Sequence, residues 1–215
     1  IVYVCERAHT EKIIIRYGAP TQRQAYSILS ILVDHIYMHC PEMKPRLVYG
    51  VYKWPSGSEM HVFGCADAAE ADKARGAEAH IIICDEYAFF KFRPKYILRA
   101  VLSPQLDTTN GQLILTSTPP VDLSHPYMEE VVKAEVGGYL FSWEIQQSIE
   151  IGEIDEIRHQ QIIERCGGAD TDIYRREYQC KRIADRSVLV IPEGESLRTD
   201  VPEMPSHVTW WSGWD

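Results

Sequence analysis

At 215 residues, with 45% hydrophobic, 25% charged and 10% aromatic residues, the chain has the profile of a water-soluble globular protein, which excludes disorder and collagen-like repeats. That length suits one to two domains and buries roughly 70% of the unfolded chain's surface, so neither disulfides nor a structural metal is required. The net charge of −9 excludes a global electrostatic attraction to nucleic acid and confines any DNA contact to a local patch. One such patch is legible: Lys91, Arg93, Lys95 and Arg99 carry no intervening acid, whereas residues 101–160 hold Asp107, Asp122, Glu129, Glu130, Glu135, Glu144, Glu150, Glu153, Asp155 and Glu156 against Lys133 and Arg158. No apolar run approaches the ~20 residues of a membrane helix, and IVYVCERAHT has neither a basic leader nor a small-residue cleavage site. Cys5, Cys40, Cys65, Cys84, Cys166 and Cys180 never form C-x-x-C and read as small buried hydrophobes of a reducing compartment.

Ile1-Val2-Tyr3-Val4 begins inside an apolar pattern without a capping residue, as a fragment would. KIIIRY is an apolar run of strand length, closed by Gly18-Ala19-Pro20, and Thr21 is placed to cap a helix over QRQAYSILSILVDHIYMHC. RLVYGVYKW and EMHVFG, separated by Pro55-Ser56-Gly57-Ser58, predict two strands of a hairpin. A loop, ADAAEADKARGAEA, leads to a second buried strand, HIIIC, then DEY, a helix around RPKYILRAVL and a third strand, QLILTST, stopped by Pro119-Pro120. Buried strand, loop and helix in repetition predict an α/β fold with a mostly parallel sheet flanked by helices. From Pro126 the texture changes: PYMEEVVKAEV predicts a helix, GYLFSW a short strand, and IDEIRHQQIIERCG and TDIYRREYQC two helices around Gly167-Gly168, together a small lid subdomain. The division is then a core over 1–125, a lid over 126–186, a proline-rich linker over 187–206 and the start of another domain over 207–215.

Ile81-Ile82-Ile83-Cys84-Asp85-Glu86 is the strongest chemical signal, because acids at the end of a buried strand point into the crevice where open α/β sheets bind ligands. This is a Walker B pattern: the first acid holds Mg²⁺, usually through water, and the second polarises the water that attacks the γ-phosphate of ATP. The plainer alternative is that both acids offset a helix dipole. Leu113-Ile114-Leu115-Thr116-Ser117-Thr118 supplies a neighbouring strand that ends in three hydroxyls, able to sense the same phosphate and move the following segment. No G-x-x-x-x-G-K-[ST] occurs, so the phosphate-cradling loop is missing, either by degeneration or because it lies ahead of Ile1. IVYVCERAHT before KIIIRY suits the end of the helix that follows such a loop, which favours the second reading.

In their order and spacing, APTQRQA, FGCADAAEADKARGAEAHIIICDEYAFF, NGQLILTSTPP with SHPY, RREYQCKRI and the terminal GWD resemble the large terminase subunits of tailed phages and related viruses. The resemblance runs over nearly the whole chain. It implies a P-loop (ASCE/RecA-like) ATPase that drives double-stranded DNA into a capsid, with ATP and Mg²⁺. It also implies a homo-oligomeric ring on the capsid portal, a small terminase subunit as partner and the host cell cytoplasm as location. It makes Asp85 the Mg²⁺ residue, Glu86 the catalytic base, and Thr116, Ser117 and Thr118 the groups that couple phosphate loss to lid movement. Arg75 resembles the position of an arginine finger given to the neighbouring subunit, against the alternative of a surface arginine. Asp215 becomes the first metal-binding carboxylate of an RNase H-like endonuclease. A helicase-like P-loop translocase and a non-catalytic adaptor with a degenerate nucleotide site are the competing functions. YAFFKFRPKYILR interleaves aromatic and basic residues as nucleic-acid surfaces do, although its apolar members suit a core.

Overall fold

The computed structural model describes residues 1–76 and 78–183. Its centre is a six-stranded sheet in the order β2-β3-β4-β1-β5-β6. The strands are β1 Ile14–Ala19, β2 Arg46–Val48, β3 Val51–Lys53, β4 Glu59–Gly64, β5 Ile81–Asp85 and β6 Gln112–Thr116. β4, β1, β5 and β6 run parallel, with Tyr17 opposite Ile83 and Asp85 opposite Thr116, so the strand ends that carry polar residues meet on one edge of the sheet. β2 and β3 add an antiparallel margin. RLVYGVYKW, expected as one strand, is therefore two: Tyr49 and Gly50 both have positive φ, 49° and 80°, the geometry of a two-residue hairpin turn whose twist matches its strands.

The alternation of β1 sorts the core into two halves. Ile15 and Tyr17 face α1 Val2–Thr10 and α2 Gln22–Ile36, packing with Val4, Cys5, Leu29, Val33 and Met60. Ile82 and Cys84 of β5 face the opposite layer, where Tyr87, Phe90, Ile97, Leu98, Val101 and Leu102 close the core. Phe90, Ile97 and Leu98 thus come from the aromatic-basic stretch and are buried as the core reading requires, whereas Phe89 and Tyr96, also expected in the core, are exposed. The helix expected there is a short turn, α4 Pro94–Tyr96, that continues as π-helix over Ile97–Leu102. Thr21 caps α2 as expected, its hydroxyl accepting from Gln24 N at 3.1 Å.

Inside the loop expected before β5 lies a further helix, α3 Ala68–Lys73, started by Asp67, whose carboxylate accepts from Glu70 N at 2.9 Å. Beyond the sheet come α5 Pro126–Gly137, α6 Ile145–Glu150, α7 Glu156–Arg165 and α8 Asp172–Glu177. Tyr127 and Val131 seat α5 in the second half of the main core, whereas Ile145, Ile162 and Tyr174 make a separate small core for α6, α7 and α8. GYLFSW is not a strand: residues 139–143 are irregular, because no described strand lies alongside to complete a ladder. All six cysteines are free, and burial pushes the Cys65 thiol up to about 12, which keeps it protonated and inert. The linker over 187–206 and residues 207–215, Asp215 included, lie outside the described residues.

Gly64 closes β4 where three elements meet. A Cβ there would stand 2.2 Å from the backbone nitrogen of Gln22 and 2.0 Å from Glu70 Oε2. That carboxylate oxygen in turn accepts from Gln22 N and Ala66 N, both at 3.3 Å, tying α2 to the α3 loop. Gly64→Ala is expected to cost about 1–3 kcal/mol by overpacking and to lower the melting temperature by several degrees. Thermal unfolding followed by circular dichroism checks this, and an unchanged midpoint would show that the junction yields freely.

Candidate active site

Five polar side chains, those of Tyr17, Asp85, Glu86, Thr116 and Ser117, converge where β1, β5 and β6 end. Asp85 is the last residue of β5. Its Oδ2 accepts from the Tyr17 hydroxyl at 2.6 Å and its Oδ1 from the Thr116 hydroxyl at 2.7 Å. Each oxygen keeps a further lone-pair direction. Tyr17 is pinned in that role, since burial and the adjacent carboxylate both hold its phenol protonated, well above the ordinary range.

Glu86 follows in the left-handed region, with φ 53° and ψ 44°, an uncommon conformation for a residue with a side chain. The turn re-aims the chain so that Glu86 leaves the strand's line and meets β6's extension: its Oε2 accepts from the Ser117 hydroxyl at 3.2 Å. Ser117 is itself fixed, its Oγ accepting from Ala88 N at 3.3 Å and its carbonyl accepting from the Tyr127 hydroxyl of α5, also at 3.3 Å. Half burial is the largest influence on Glu86 and raises its pKa above the usual carboxylate range. Ser117 and the Thr118 amide pull the other way, and Asp85 and Glu177 of α8 add to the rise. A carboxylate of raised basicity beside a second, hydrogen-bonded carboxylate is the pairing that separates a base from a cation ligand.

The structure therefore brings together Asp85, Glu86, Thr116 and Ser117, and Thr118 joins through its backbone rather than its hydroxyl. Arg75 stands apart, on the loop after α3. Its side chain is 50% exposed, held by Asp72 at 3.4 Å and by the Tyr96 hydroxyl at 2.5 Å, with no contact to Asp85 or Glu86. Sequence reasoning passed over Tyr17, Tyr127 and Glu177. A tyrosine on a buried strand reads as core, and only the β1–β5 register shows that its hydroxyl reaches Asp85.

Among the described residues no cluster of three His, Cys, Asp or Glu side chains could cage a metal. The site suits a hard cation of the Mg²⁺ kind instead, which keeps its waters and takes one or two carboxylates plus substrate oxygens. Asp85 offers its remaining lone pairs, and the Thr116 hydroxyl lies beside it.

The D6E bacteriophage large terminase superposes with a TM-score of 0.57 at 11% identity, over 78% of this chain and 40% of that one. The large terminase ATPase domain of Thermus phage P74-26 gives 0.53 at 16% identity, over 84% and 81% respectively. The fold is that of the phage large-terminase ATPase domain. A second D6E structure, in complex with ADP, matches with a TM-score of 0.55 at 11% identity, over 80% of this chain and 41% of that one. No protein-family model and no curated protein matches the chain. In this chain Asp85 closes β5 and Glu86 follows it, and the chain spans about two-fifths of the D6E proteins. No helix among the described residues is long and apolar enough to cross a membrane.

Proposed function

We propose that the chain is the ATPase portion of a DNA-packaging motor, hydrolysing ATP to drive double-stranded DNA into a capsid in the host cytoplasm. In this reading it works as a ring on the portal, with a small terminase subunit as partner. The observation that carries it is the pair of hydroxyl bridges, Thr116 to Asp85 and Ser117 to Glu86, which couple neighbouring strand ends of a terminase-type fold. Glu86 takes the proton of the attacking water. Asp85, oriented by Tyr17 and Thr116, would hold Mg²⁺, which when bound would supply charge neutralisation to the phosphate. Ser117 exchanges its partner between Glu86 and the γ-phosphate, and its carbonyl passes the displacement to Tyr127 and hence to α5. The endonuclease that the resemblance implies, with Asp215 as its first ligand, accompanies this proposal.

Two features support a phosphate-binding loop ahead of α1. Among the described residues β6 forms an open edge and is half-exposed along its apolar run, while its parallel neighbour β5 is buried. Parallel apolar strands are covered in stable folds, so a further strand belongs beside it. Tyr3 of α1 also donates to Gln112 at the foot of β6, which sets α1 beside that edge, where the helix after such a loop would lie.

The 215-residue chain alone is accordingly expected to release phosphate from ATP far below 1 s⁻¹, the low end for phosphoryl-transfer enzymes at about 1–100 s⁻¹. The full-length gene product should hydrolyse ATP and accelerate on portal-bearing capsids with DNA. Steady-state phosphate release compares the two. Turnover by the 215-residue chain alone would overturn the loop assignment, and inactivity of both would favour the adaptor reading.

A further inference from the structure

Arg176 of α8 is only 5% exposed, yet its Nε and Nη1 are buried without a hydrogen-bond partner. Among the described residues its one ion-pair neighbour is the adjacent Glu177, with Nε 3.5 Å from Oε1, beyond good hydrogen-bond distance. A guanidinium cannot escape such a place by losing its proton. Burial without full pairing is costly, and unsatisfied buried donors of this kind call for a ligand.

Its surroundings say which ligand. The residues after α8 reach α5, where Arg182 pairs with Glu135 at 2.8 Å, while the Tyr178 carbonyl, just past α8, accepts from Ile145 N of α6 at 2.8 Å. Tyr127 of the same α5 bonds Ser117, which bonds Glu86. Glu177, the neighbour of Arg176, is close enough to Glu86 to raise its pKa, which sets the end of α8 at the seam between the small three-helix core and the strand-end site. The acids on that seam are Asp85, Glu86 and Glu177, a set that repels a polyphosphate unless cations oppose it. The nearby Lys181 and Arg182 are spent on Glu144 and Glu135. Arg176 keeps unused donors, in the planar fork that fits phosphate oxygens.

We infer that Arg176 is a phosphate-binding residue, which grips the nucleotide's phosphate chain from the α6–α8 side and draws that unit onto the strand-end site when nucleotide is present. The inference rests on the ATPase reading above and assigns it a cation that no other described residue keeps free at this seam.

The test measures binding of fluorescent ATP, ADP and AMP analogues to the full-length gene product and to its Arg176→Gln and Arg176→Lys variants. Arg176→Gln should weaken ATP and ADP by about 10–100-fold, the loss of a charge-assisted bond, with AMP little changed and Arg176→Lys intermediate. Equal ATP affinity in Arg176→Gln and wild type would overturn the inference and leave the ATPase reading standing. Failure of the wild type to bind ATP would overturn both. Should Arg176→Gln not fold, amide hydrogen exchange of the wild type decides: saturating ADP should slow exchange over 172–178 relative to saturating AMP, and equal exchange would refute the assignment.

Discussion

Arg75→Ala in the full-length gene product is expected to leave folding and ATP binding of the isolated subunit intact, and to abolish the rise in hydrolysis that assembly brings. Arg75 makes no contact with the acids of its own site, and it is half-exposed on a loop at the molecular surface. Its guanidinium rests 5.9 Å from the centre of the Tyr96 ring, a cation–π contact worth about 0.5–1 kcal/mol at an exposed site, which a stronger partner readily replaces. An arginine that enters a neighbour's site and stabilises transition-state charge is worth about 10³–10⁵ in kcat. Isolated subunits gain nothing from such a residue. Mixing Arg75→Ala with Glu86→Gln subunits should restore part of the activity, because an intact Arg75 from one then faces an intact Glu86 from the other. Phosphate release from mixtures titrated on portal-bearing capsids measures this. No rescue at any ratio, or a single mutant with wild-type rates, would make Arg75 an ordinary surface residue.

Glu86→Gln should bind Mg·ATP and lose turnover by about 10²–10⁴-fold, the usual cost of removing a general base, whereas Asp85→Asn should also weaken Mg²⁺-dependent binding. The difference follows from their contacts: Asp85 is held by two hydroxyls as a fixed acceptor, while Glu86 is half-buried and more basic. As pH falls, an ordinary glutamate stays ionised longer than Glu86 does, so the acid limb of the kcat profile should lie above the ordinary carboxylate range. The sign for stability is opposite to that of a salt-bridged acid. A folded-state pKa raised above the unfolded one means that the native protein binds the proton more tightly. Glu86 therefore favours folding below the unfolded value, and that contribution disappears as pH rises through the folded one. At neutral pH Glu86→Gln should melt no lower than wild type, and its inactivity will not be unfolding. Wild-type hydrolysis by Glu86→Gln would remove the base assignment.

What the sequence disclosed follows from which signals are local. The run Ile81–Cys84 followed by two acids marks a buried strand and its functional end without any knowledge of neighbours, and Thr21 before Gln22 marks a helix start through a hydroxyl that the first turn needs. The Tyr49–Gly50 turn was hidden inside an apolar run, because a tyrosine with positive φ follows no composition rule. GYLFSW carries a strand's alternation and still makes no strand, since a ladder needs a partner that the segment itself does not encode. Arg176 illustrates the deepest limit: among Arg175, Glu177 and exposed neighbours it reads as a solvated helix face, and only the packing of α8 at the seam buries it. The acids at the site were thus legible, and the groups that orient them, Tyr17 and Tyr127, were not.

In the proposed mechanism Asp85 and Glu86 flank a magnesium-bound nucleotide in a site shared by the ends of β5 and β6. Anomalous diffraction from crystals of the full-length gene product grown with Mn²⁺ and a non-hydrolysable ATP analogue tests this most directly. An Mn²⁺ peak is expected within one water's reach of the Asp85 carboxylate, with the γ-phosphate beside Thr116 and Ser117 and a water against Glu86. A metal peak at any other group of carboxylates, or a nucleotide bound away from the ends of β5 and β6, would contradict it.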